Sequence, residues 1–313
     1  MRAWVLNIDA EDEFAAGRIY RPKQRALDLI RSKRELLIGS LVQEGDVILD
    51  ADTPAEQVAQ AHKEGAQVHL WSPTPNALKC ARGWGFKTPS APNLNVLRLV
   101  NQRSFAARVH ASLTAGEAGP EGALTKRVVC DLEAARAQLA KPADFGWLVR
   151  RPFGAAGRGR RRLYSGRPEG PDLAWLRASL ELGPLVIEPM VRIEQEFTRS
   201  GTVSASGQVT AKGPCWQTAD AGGAWTGSVA AVSSDLQSEF DAKLEGAFFE
   251  AGRELARAGY FGAFGIDAFS YRTQSNTGSR RVAFNPLSEI NARLTMDWSQ
   301  AGASVEDLQE RRS

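Results

Sequence analysis

The stretch that decides the fold is 285-NPLSEINARLTMDW-298, close to the C-terminal end of the sequence. Within it Glu289, Asn291 and Arg293 occupy alternate positions, and aliphatic residues stand between them. Alternation with a period of two places one set of side chains on each face of a β-strand. The sequence therefore predicts a strand with an acid, an amide and a guanidinium on one face and an aliphatic opposite face.

A preceding stretch, 262-GAFGIDAFSYR-272, predicts the partner strand of an antiparallel hairpin. The polar connection between the two strands can turn at Asn276 to Gly278. Folding the strands about Gly278 places Asp267 directly opposite Glu289. The hairpin therefore predicts two carboxylates facing each other across neighbouring strands.

Opposed carboxylates repel each other, and their burial is costly unless a positive charge lies between them. A divalent cation is the simplest such charge, and oxygen ligands without His or Cys favour Mg²⁺ or Mn²⁺. Two alternatives stay open at this point. Arg293 neutralises one acid on a solvated face, or a bulge at Pro286 shifts the register.

A glycine-rich loop lies between two predicted strands in 149-VRRPFGAAGRGRRRL-163. Its glycines allow close approach of the backbone to an anion: Gly154, Gly157 and Gly159. Arg151 and Arg158 are placed to contact phosphate. The loop lacks the following helix of a Rossmann fingerprint and the Gly-Lys-Ser/Thr of a P-loop. An alternative is an Arg/Gly segment that binds RNA, against which the nearly balanced charge of the chain argues.

The first hundred residues alternate short apolar runs with stretches of helical spacing, which predicts a parallel α/β sheet. The loop 71-WSPTPNA-77 follows the third predicted strand, where open α/β sheets place ligand contacts. A stretch rich in glycine and small residues, 112–125, then separates this lobe from the rest.

Together these motifs resemble the ATP-grasp superfamily from about Asn101 to Asp297. The run "VRRPFGAAGRG" takes the place of the family's "V-K-P" strand and lid loop, and "LVIEPM" resembles its hinge strand. Asp267 followed by "E-x-N-x-R" matches the family's closing pattern. The resemblance implies an α/β protein with the ATP-grasp fold. Its parts are an N-terminal parallel α/β lobe (1–110), an α+β lid subdomain (111–190) and a C-terminal α+β subdomain (191–313), with the nucleotide between the last two.

The resemblance also implies roles for individual residues. Arginines replace the usual phosphate-binding lysines, with Arg103 before the lid and Arg151 in the "V-K-P" strand. Lys212 precedes the long loop 213–227 and is expected to reach the γ-phosphate, while that loop covers the substrate. The remaining implied residues are Glu188, Pro189 and Met190 at the adenine, Glu196 at the ribose, Asp267, Glu289 and Asn291 at the metal, and Arg293 and Arg151 in catalysis.

The implied activity is an ATP- and Mg²⁺-dependent (or Mn²⁺-dependent) ligase that activates a carboxylate as an acyl phosphate and joins it to an amine. Small-molecule carboxylates and amines are thus the expected partners. Alternatives within the superfamily are a small-molecule kinase and a carboxylase. A non-catalytic nucleotide-binding protein is an alternative of another class, because the usual lysines are replaced.

Bulk composition agrees with a globular enzyme. The 313 residues are 43% hydrophobic and 24% charged, with a formal net charge of +3. So small a charge gives no case for a nucleic-acid or membrane partner. Three widely spaced cysteines form no disulfide framework, which favours the cytoplasm. A homodimer is left open.

Overall fold

The computed structural model describes residues 1–17, 20–22, 24–38, 40–115, 124–154, 157–164, 166, 168–219, 225–230, 235–274 and 280–299. Within these ranges the chain forms one parallel sheet and two antiparallel sheets. Part of the predicted linker 112–125, the predicted turn at Asn276 to Gly278 and positions 155–156 of the glycine loop lie outside them.

The N-terminal lobe has the expected alternation of strands and helices. Its elements are β1 (Arg2–Val5), α1 (Ala10–Ala16), α2 (Gln24–Glu35), β2 (Val47–Ile48), α3 (Ala55–Lys63), β3 (Gln67–Leu70), α4 (Pro75–Gly83), α5 (Leu94–Val100) and α6 (Arg103–Leu113). The three strands are parallel in the order β2-β1-β3. Helix α4 begins after Thr74, whose hydroxyl accepts from the N–H of Ala77 as an N-cap. This cap fixes the chain direction just beyond the carboxyl end of β3.

A four-stranded antiparallel sheet follows. Its elements are β4 (Arg127–Val129), α7 (Leu132–Leu139), β5 (Trp147–Arg150), β6 (Arg160–Leu163), α8 (Gly170–Leu180) and β7 (Leu185–Pro189), with the strand order β4-β7-β5-β6. The glycine-rich loop joins β5 to β6. Side chains of β5 alternate between the faces of this sheet, and Trp147 and Val149 are buried in the core beneath it.

The C-terminal part is a five-stranded antiparallel sheet covered by one long helix. Its elements are β8 (Arg192–Val203), β9 (Val209–Ala219), β10 (Trp225–Ala230), α9 (Asp235–Arg257), β11 (Gly262–Gln274) and β12 (Arg280–Asn291), with the strand order β10-β9-β8-β11-β12. The expectation of a loop over 213–227 is wrong for its described residues. They belong to β9 and β10, which pair as antiparallel strands, with Cys215 opposite Ala230.

Helix α9 covers one face of this sheet with an apolar stripe at helical spacing. The stripe consists of Phe240, Leu244, Phe248, Ala251 and Leu255, all of them buried. Ile266 of β11 and Ile290 of β12 point into the same core, together with residues of α6. Because neighbouring side chains alternate, Asp267 and Glu289 lie on the opposite face of the sheet.

The predicted pairing of the two carboxylates is confirmed, although by a different path from the one expected. Near the turn the two strands are in register about position 277, since Thr273 pairs with Arg281. A bulge between Asp267 and Phe269 then shifts the register, so that Asp267 pairs with Glu289. The extra residues of the bulge lie on β12, in the segment 286–288, where Pro286 has no N–H for the ladder.

In the described residues no helix is both long and apolar enough to cross a bilayer.

Helix α6, which the sequence places in the N-terminal lobe, packs with α9 and β12 in the C-terminal core. The domain boundaries themselves stay a prediction.

The crossing of β8 and α9 depends on Gly201. A Cβ at this position would overlap the carbonyl oxygen of Thr210 and lie 2.7 Å from Cζ of Phe248. We expect Gly201→Ala to lower the free energy of unfolding by about 1–3 kcal/mol, because the added methyl overpacks the core. Gly213→Ala is the matched control, since nothing lies within 4 Å of its Cβ position. Urea denaturation of both variants measures the difference, and equal stabilities would contradict this packing.

His110 on α6 predicts a pH dependence of stability. Burial, followed by the charge of Lys126, lowers its pKa from 6.5 to about 4. The unfolded chain therefore binds a proton between pH 6.5 and 4 that the folded chain does not, so stability falls as the pH is lowered through this window. We expect this fall between pH 7 and pH 4.5 to be smaller in His110→Gln by roughly 2 kcal/mol. Urea titrations at pH 7 and pH 4.5 test it, and identical pH slopes would refute it.

Candidate functional site

A cleft of about 210 Å³ lies over the polar face of β11 and β12, under the glycine-rich loop and against the N-terminal lobe. All three parts of the chain contribute charged side chains to it. Those that line it are Lys33, Arg103, Arg150, Arg158, Arg160, Glu196, Asp267, Glu289, Arg293 and Asp297. Charged side chains that converge from distant segments on one cleft mark it as the candidate site.

Asp267 and Glu289 face each other on the floor of the cleft, and their environments differ. Burial, and then the charges of Glu289 and Asp297, raises the pKa of Asp267 to about 7. Burial also acts to raise the pKa of Glu289, but the Arg103 guanidinium outweighs it and the net pKa lies below the ordinary value. The two acids are thus driven toward opposite protonation states.

Arg103, at the first turn of α6, connects the acidic pair with the glycine-rich loop. Its Nη1 forms an ion pair with Glu289, and its Nη2 donates to the carbonyl oxygen of Gly154 at 2.7 Å. Its backbone N–H donates to Pro152 at 2.9 Å. The sequence places Arg103 at the phosphates, and the structure brings it into the cleft, paired with a predicted metal ligand.

The phosphate role predicted for Arg151 does not fit its position. Arg151 does not line the cleft; its Nε donates to Ser179 at 2.8 Å and its guanidinium lies 5.0 Å from the Trp175 ring of α8. The preceding Arg150 lines the cleft instead and bonds to Glu188 at 2.6 Å. Strand alternation is the reason, since consecutive side chains of β5 point to opposite faces. The same alternation within 147-WLVRR-151 could have identified Arg150 from the sequence.

The glycines of the loop divide into two groups. Gly157 and Gly159 line the cleft with φ values of 75° and 70°, which favour glycine. Gly154 does not line the cleft. A Cβ at this position would meet the backbone of Arg158 at 2.5 Å, so the loop packs against itself here. Gly154 thus closes the loop on itself rather than approaching a ligand. Arg158 lines the cleft and pairs with Asp12 of the N-terminal lobe at 3.3 Å.

The predicted adenine contacts lie outside this cleft. The segment 188–190 is absent from its lining, and the Met190 N–H already donates to the carbonyl oxygen of Gly146 at 2.9 Å. The Glu188 side chain is buried against Arg150 and lies 4.0 Å from Lys126 Nζ. Strand β7 pairs on both sides only over residues 186–187, whereas Glu188 and Pro189 pair with β5 alone. Pro189 is one of the paired residues, opposite Trp147.

Lys126 was missed by the sequence reading and lies at the centre of a buried polar cluster. Its Nζ donates to the carbonyl oxygens of Leu287 at 2.6 Å and Ser288 at 2.9 Å. Burial lowers its pKa to about 8. Burial acts to raise the pKa of Glu188, but Arg150 and Lys126 outweigh it and hold the pKa below its ordinary value. This cluster anchors β12 to the four-stranded sheet beside the cleft.

Two further predicted residues have contrasting positions. Glu196 lines the cleft, and its burial raises the pKa of the carboxyl. Lys212 does not line the cleft; its Nζ donates to the carbonyl oxygen of Trp298 at 2.9 Å and lies 4.1 Å from the Trp298 ring. The contact expected between Lys212 and the γ-phosphate is therefore not supported, because β9 carries this side chain toward Trp298.

Arg293 and Asn291 join the acidic pair to the N-terminal lobe. Asn291 donates to Asp267 at 2.9 Å and accepts from Arg293 at 3.1 Å. Arg293 Nε donates to the buried Glu11 of α1 at 2.6 Å, and its guanidinium lies 5.4 Å from the Trp71 ring. Arg293 thus stands between the carboxylates and the carboxyl end of β3.

The residues fit a divalent cation held by carboxylate and amide oxygens. Among the described residues, the amides of Asn291 and Gln217 donate hydrogen bonds to Asp267, at 2.9 and 3.5 Å. Burial, and then neighbouring acids, raise the pKa of Asp267, so a cation would favour its ionised form. The described part of the chain holds no group of three or more His, Cys, Asp or Glu side chains with metal-site geometry. A site here would thus use this pair and further oxygen ligands.

No family model and no curated protein matches the sequence. Solved structures do match. The biotin carboxylase domain of Hydrogenobacter thermophilus 2-oxoglutarate carboxylase, with MgADP, ADP and bicarbonate, has a TM-score of 0.51 at 15% identity over 99% of this chain and 71% of that chain. Campylobacter jejuni biotin carboxylase has a TM-score of 0.51 at 13% identity over 96% and 71%.

An N5-carboxyaminoimidazole ribonucleotide synthetase bound to ADP also matches, at a TM-score of 0.45 and 15% identity. This chain spans 59% of that enzyme's length, and 80% of this chain is covered. At these identities the biotin carboxylase matches are informative about the fold. The chain contains, in order, a lobe with a parallel sheet, a four-stranded antiparallel sheet and a five-stranded antiparallel sheet, with a charged cleft where they meet. It has the ATP-grasp fold.

Proposed function

We propose that this protein is an ATP- and Mg²⁺-dependent ligase that converts a carboxylate into an acyl phosphate and joins it to an amine. The observation that carries the proposal is the position of Asp267 opposite Glu289 on the floor of a cleft whose walls carry arginines. Paired acids surrounded by cations suit a triphosphate with its metal, since the acids bind the metal and the arginines bind the phosphate oxygens.

Asp267 and Glu289 would hold the Mg²⁺, with Asn291 between Asp267 and Arg293. When bound, Mg²⁺ neutralises phosphate charge and so lowers the barrier to phosphoryl transfer. Glu289 has Arg103 as its counter-charge. Binding of nucleotide therefore exchanges this ion pair for contacts of Arg103 with phosphate and of Glu289 with metal. The exchange keeps both charges compensated, which limits its electrostatic cost.

The remaining cations serve the two reactants. Arg150 and Arg160 lie on the lid side of the cleft, where the phosphates are expected, and Arg293 lies on the side of the N-terminal lobe. Arg293 would hold the substrate carboxylate in line with the γ-phosphate and then stabilise the oxyanion formed when the amine attacks. Gly157 and Gly159 bring loop backbone over the cleft, and a closed loop protects the acyl phosphate from water.

A screen of ADP release tests the activity. Purified protein, ATP and Mg²⁺ are incubated with panels of carboxylic acids and amines, and products are identified by mass spectrometry. ADP and an amide that depend on both reactants support the ligase. ADP release with bicarbonate as the only acid would indicate a carboxylase instead of a ligase, and a phosphorylated product would indicate a kinase. ATP binding without turnover would indicate a nucleotide-binding protein.

The acidic pair should be essential for turnover. We expect Asp267→Asn and Glu289→Gln each to reduce the rate of substrate-dependent ADP release by roughly 10²-fold or more, because charge stabilisation at the phosphates is lost. Glu239→Gln on the exposed face of α9 is the control and should leave the rate unchanged. Steady-state assays over a range of Mg²⁺ concentrations measure the effect. Near-normal rates in either cleft variant would remove the metal assignment.

Arg150 and Arg151 provide a matched pair for the phosphate site. We expect Arg150→Gln to raise the dissociation constant of Mg-ATP by roughly tenfold or more, because a charged hydrogen bond to phosphate is lost. Arg151→Gln should change it by less than about twofold, since Arg151 binds Ser179 outside the cleft. Isothermal titration calorimetry on folded protein distinguishes the two. A larger effect at Arg151 would return the phosphate role to that residue.

A further inference from the structure

A second cavity of about 120 Å³ lies beside the cleft, at the carboxyl end of β3. Three segments form its walls: the end of β3 with the residues after it, the segment 89–92, and the segment 260–263 before β11. Its apolar lining residues are Val68, Leu70, Trp71, Pro73, Pro89, Pro92, Tyr260, Phe261, Gly262, Ala263 and Leu294. The other lining residues are His69, Ser90 and Arg293.

The two cavities share a wall. Trp71 and Arg293 line both of them, and the Arg293 guanidinium lies 5.4 Å from the Trp71 ring. Three N–H groups of Arg293 donate to Glu11, Asn291 and the carbonyl oxygen of Leu294. An arginine side chain carries five N–H donors, so two have no hydrogen-bond acceptor among the described residues. A carboxylate at this guanidinium therefore sits at the boundary between the cleft and the second cavity.

The second cavity is shaped for an apolar group. Its three prolines have fixed φ angles, and the Tyr260 hydroxyl is held by the carbonyl oxygen of Ala263. A cavity that is rigid before binding costs little entropy when a ligand enters. Its volume approaches that of an engineered cavity of about 150 Å³ that binds benzene. A branched aliphatic group or a single aromatic ring therefore matches it in size.

We propose that the second cavity holds the apolar side group of the carboxylate substrate, so that the substrate is an aliphatic or aromatic carboxylic acid whose carboxylate lies against Arg293. The inference rests on the proposed ligase function for the role of the carboxylate. It adds a selection rule: acids with a hydrophobic body bind better than small acids, because only they fill the space behind Trp71.

Ser90 offers a direct test because it lines the second cavity and its side chain is exposed, so a larger residue is tolerated there. Ser90→Trp places an indole in the cavity. Asn95→Trp is the matched control, since Asn95 is also exposed and lines neither cavity. Both variants should bind Mg-ATP like the wild type, which confirms that each is folded.

Ligand-observed NMR titrations of the wild type with 3-phenylpropionate and acetate measure the preference directly. We expect 3-phenylpropionate to bind at least tenfold more tightly than acetate, Ser90→Trp to reduce this ratio to about twofold or less, and Asn95→Trp to retain it. Equal binding of the two acids to the wild type would overturn the proposal. So would an unchanged ratio in Ser90→Trp.

The same acids separate this inference from the ligase activity. ADP release is measured with each acid and hydroxylamine, which traps an acyl phosphate as a hydroxamate. If Ser90→Trp abolishes the binding preference but no acid causes ADP release, the proposed role of the second cavity is supported and the proposed ligase activity is refuted. If hydroxamate forms at a rate that depends neither on the size of the acid nor on Ser90→Trp, the ligase activity is supported and the proposed role of the second cavity is refuted.

Discussion

The opposed carboxylates of Asp267 and Glu289 are the constraint on which the rest of the site depends. Two acids at one register position repel, and each is held in place by a different partner: Asn291 donates to Asp267, and Arg103 pairs with Glu289. From these partners the network spreads outward. Arg103 bonds to the glycine-rich loop, and Asn291 accepts from Arg293, which binds Glu11 in the N-terminal lobe. Compensation of one acidic pair thus draws three parts of the chain to one point.

The same compensation is consistent with the proposal that the cleft binds a metal and an anion together. Because the pKa of Asp267 is raised and that of Glu289 is lowered, the pair need not hold two uncompensated negative charges. In the proposed function, Mg-ATP would supply a cation to the acids and phosphates to the arginines, so that both sets of charges exchange partners. Arginine in place of lysine suits this exchange, since its planar fork can keep one hydrogen bond while it makes another.

Patterns within single elements were readable from the sequence. The parallel N-terminal sheet and the alternation of polar and aliphatic residues along β12 follow from local spacing. The pairing of Asp267 with Glu289 was predicted correctly, but it depends on a bulge whose effect on the register local spacing does not give. Partner choice between distant elements was not readable. Lys212 follows β9 toward Trp298, and Lys126 reaches the carbonyl oxygens of β12 across the sheet boundary.

Arg150 and Arg151 show where the limit lies. Residue type alone does not distinguish two adjacent arginines, and the family resemblance favoured Arg151 because it precedes Pro152. Their directions depend on the strand face, and only the burial of Trp147 and Val149 identifies the face that points away from the cleft. A register argument based on those two apolar residues identifies Arg150 as the arginine that lines the cleft, which the motif match did not.

The ion pair between Arg293 and Glu11 bears on how the proposed carboxylate substrate would be selected. Glu11 is buried and its oxygen lies 2.6 Å from Arg293, so much of the positive charge on this guanidinium is already compensated. A carboxylate that binds there gains directed hydrogen bonds but less net attraction than an unpaired arginine would give. Discrimination between carboxylic acids must then come from the rest of the molecule. In the proposed function, the apolar cavity on the other side of Trp71 would supply that discrimination, since the burial of apolar surface is independent of the charge balance at Arg293.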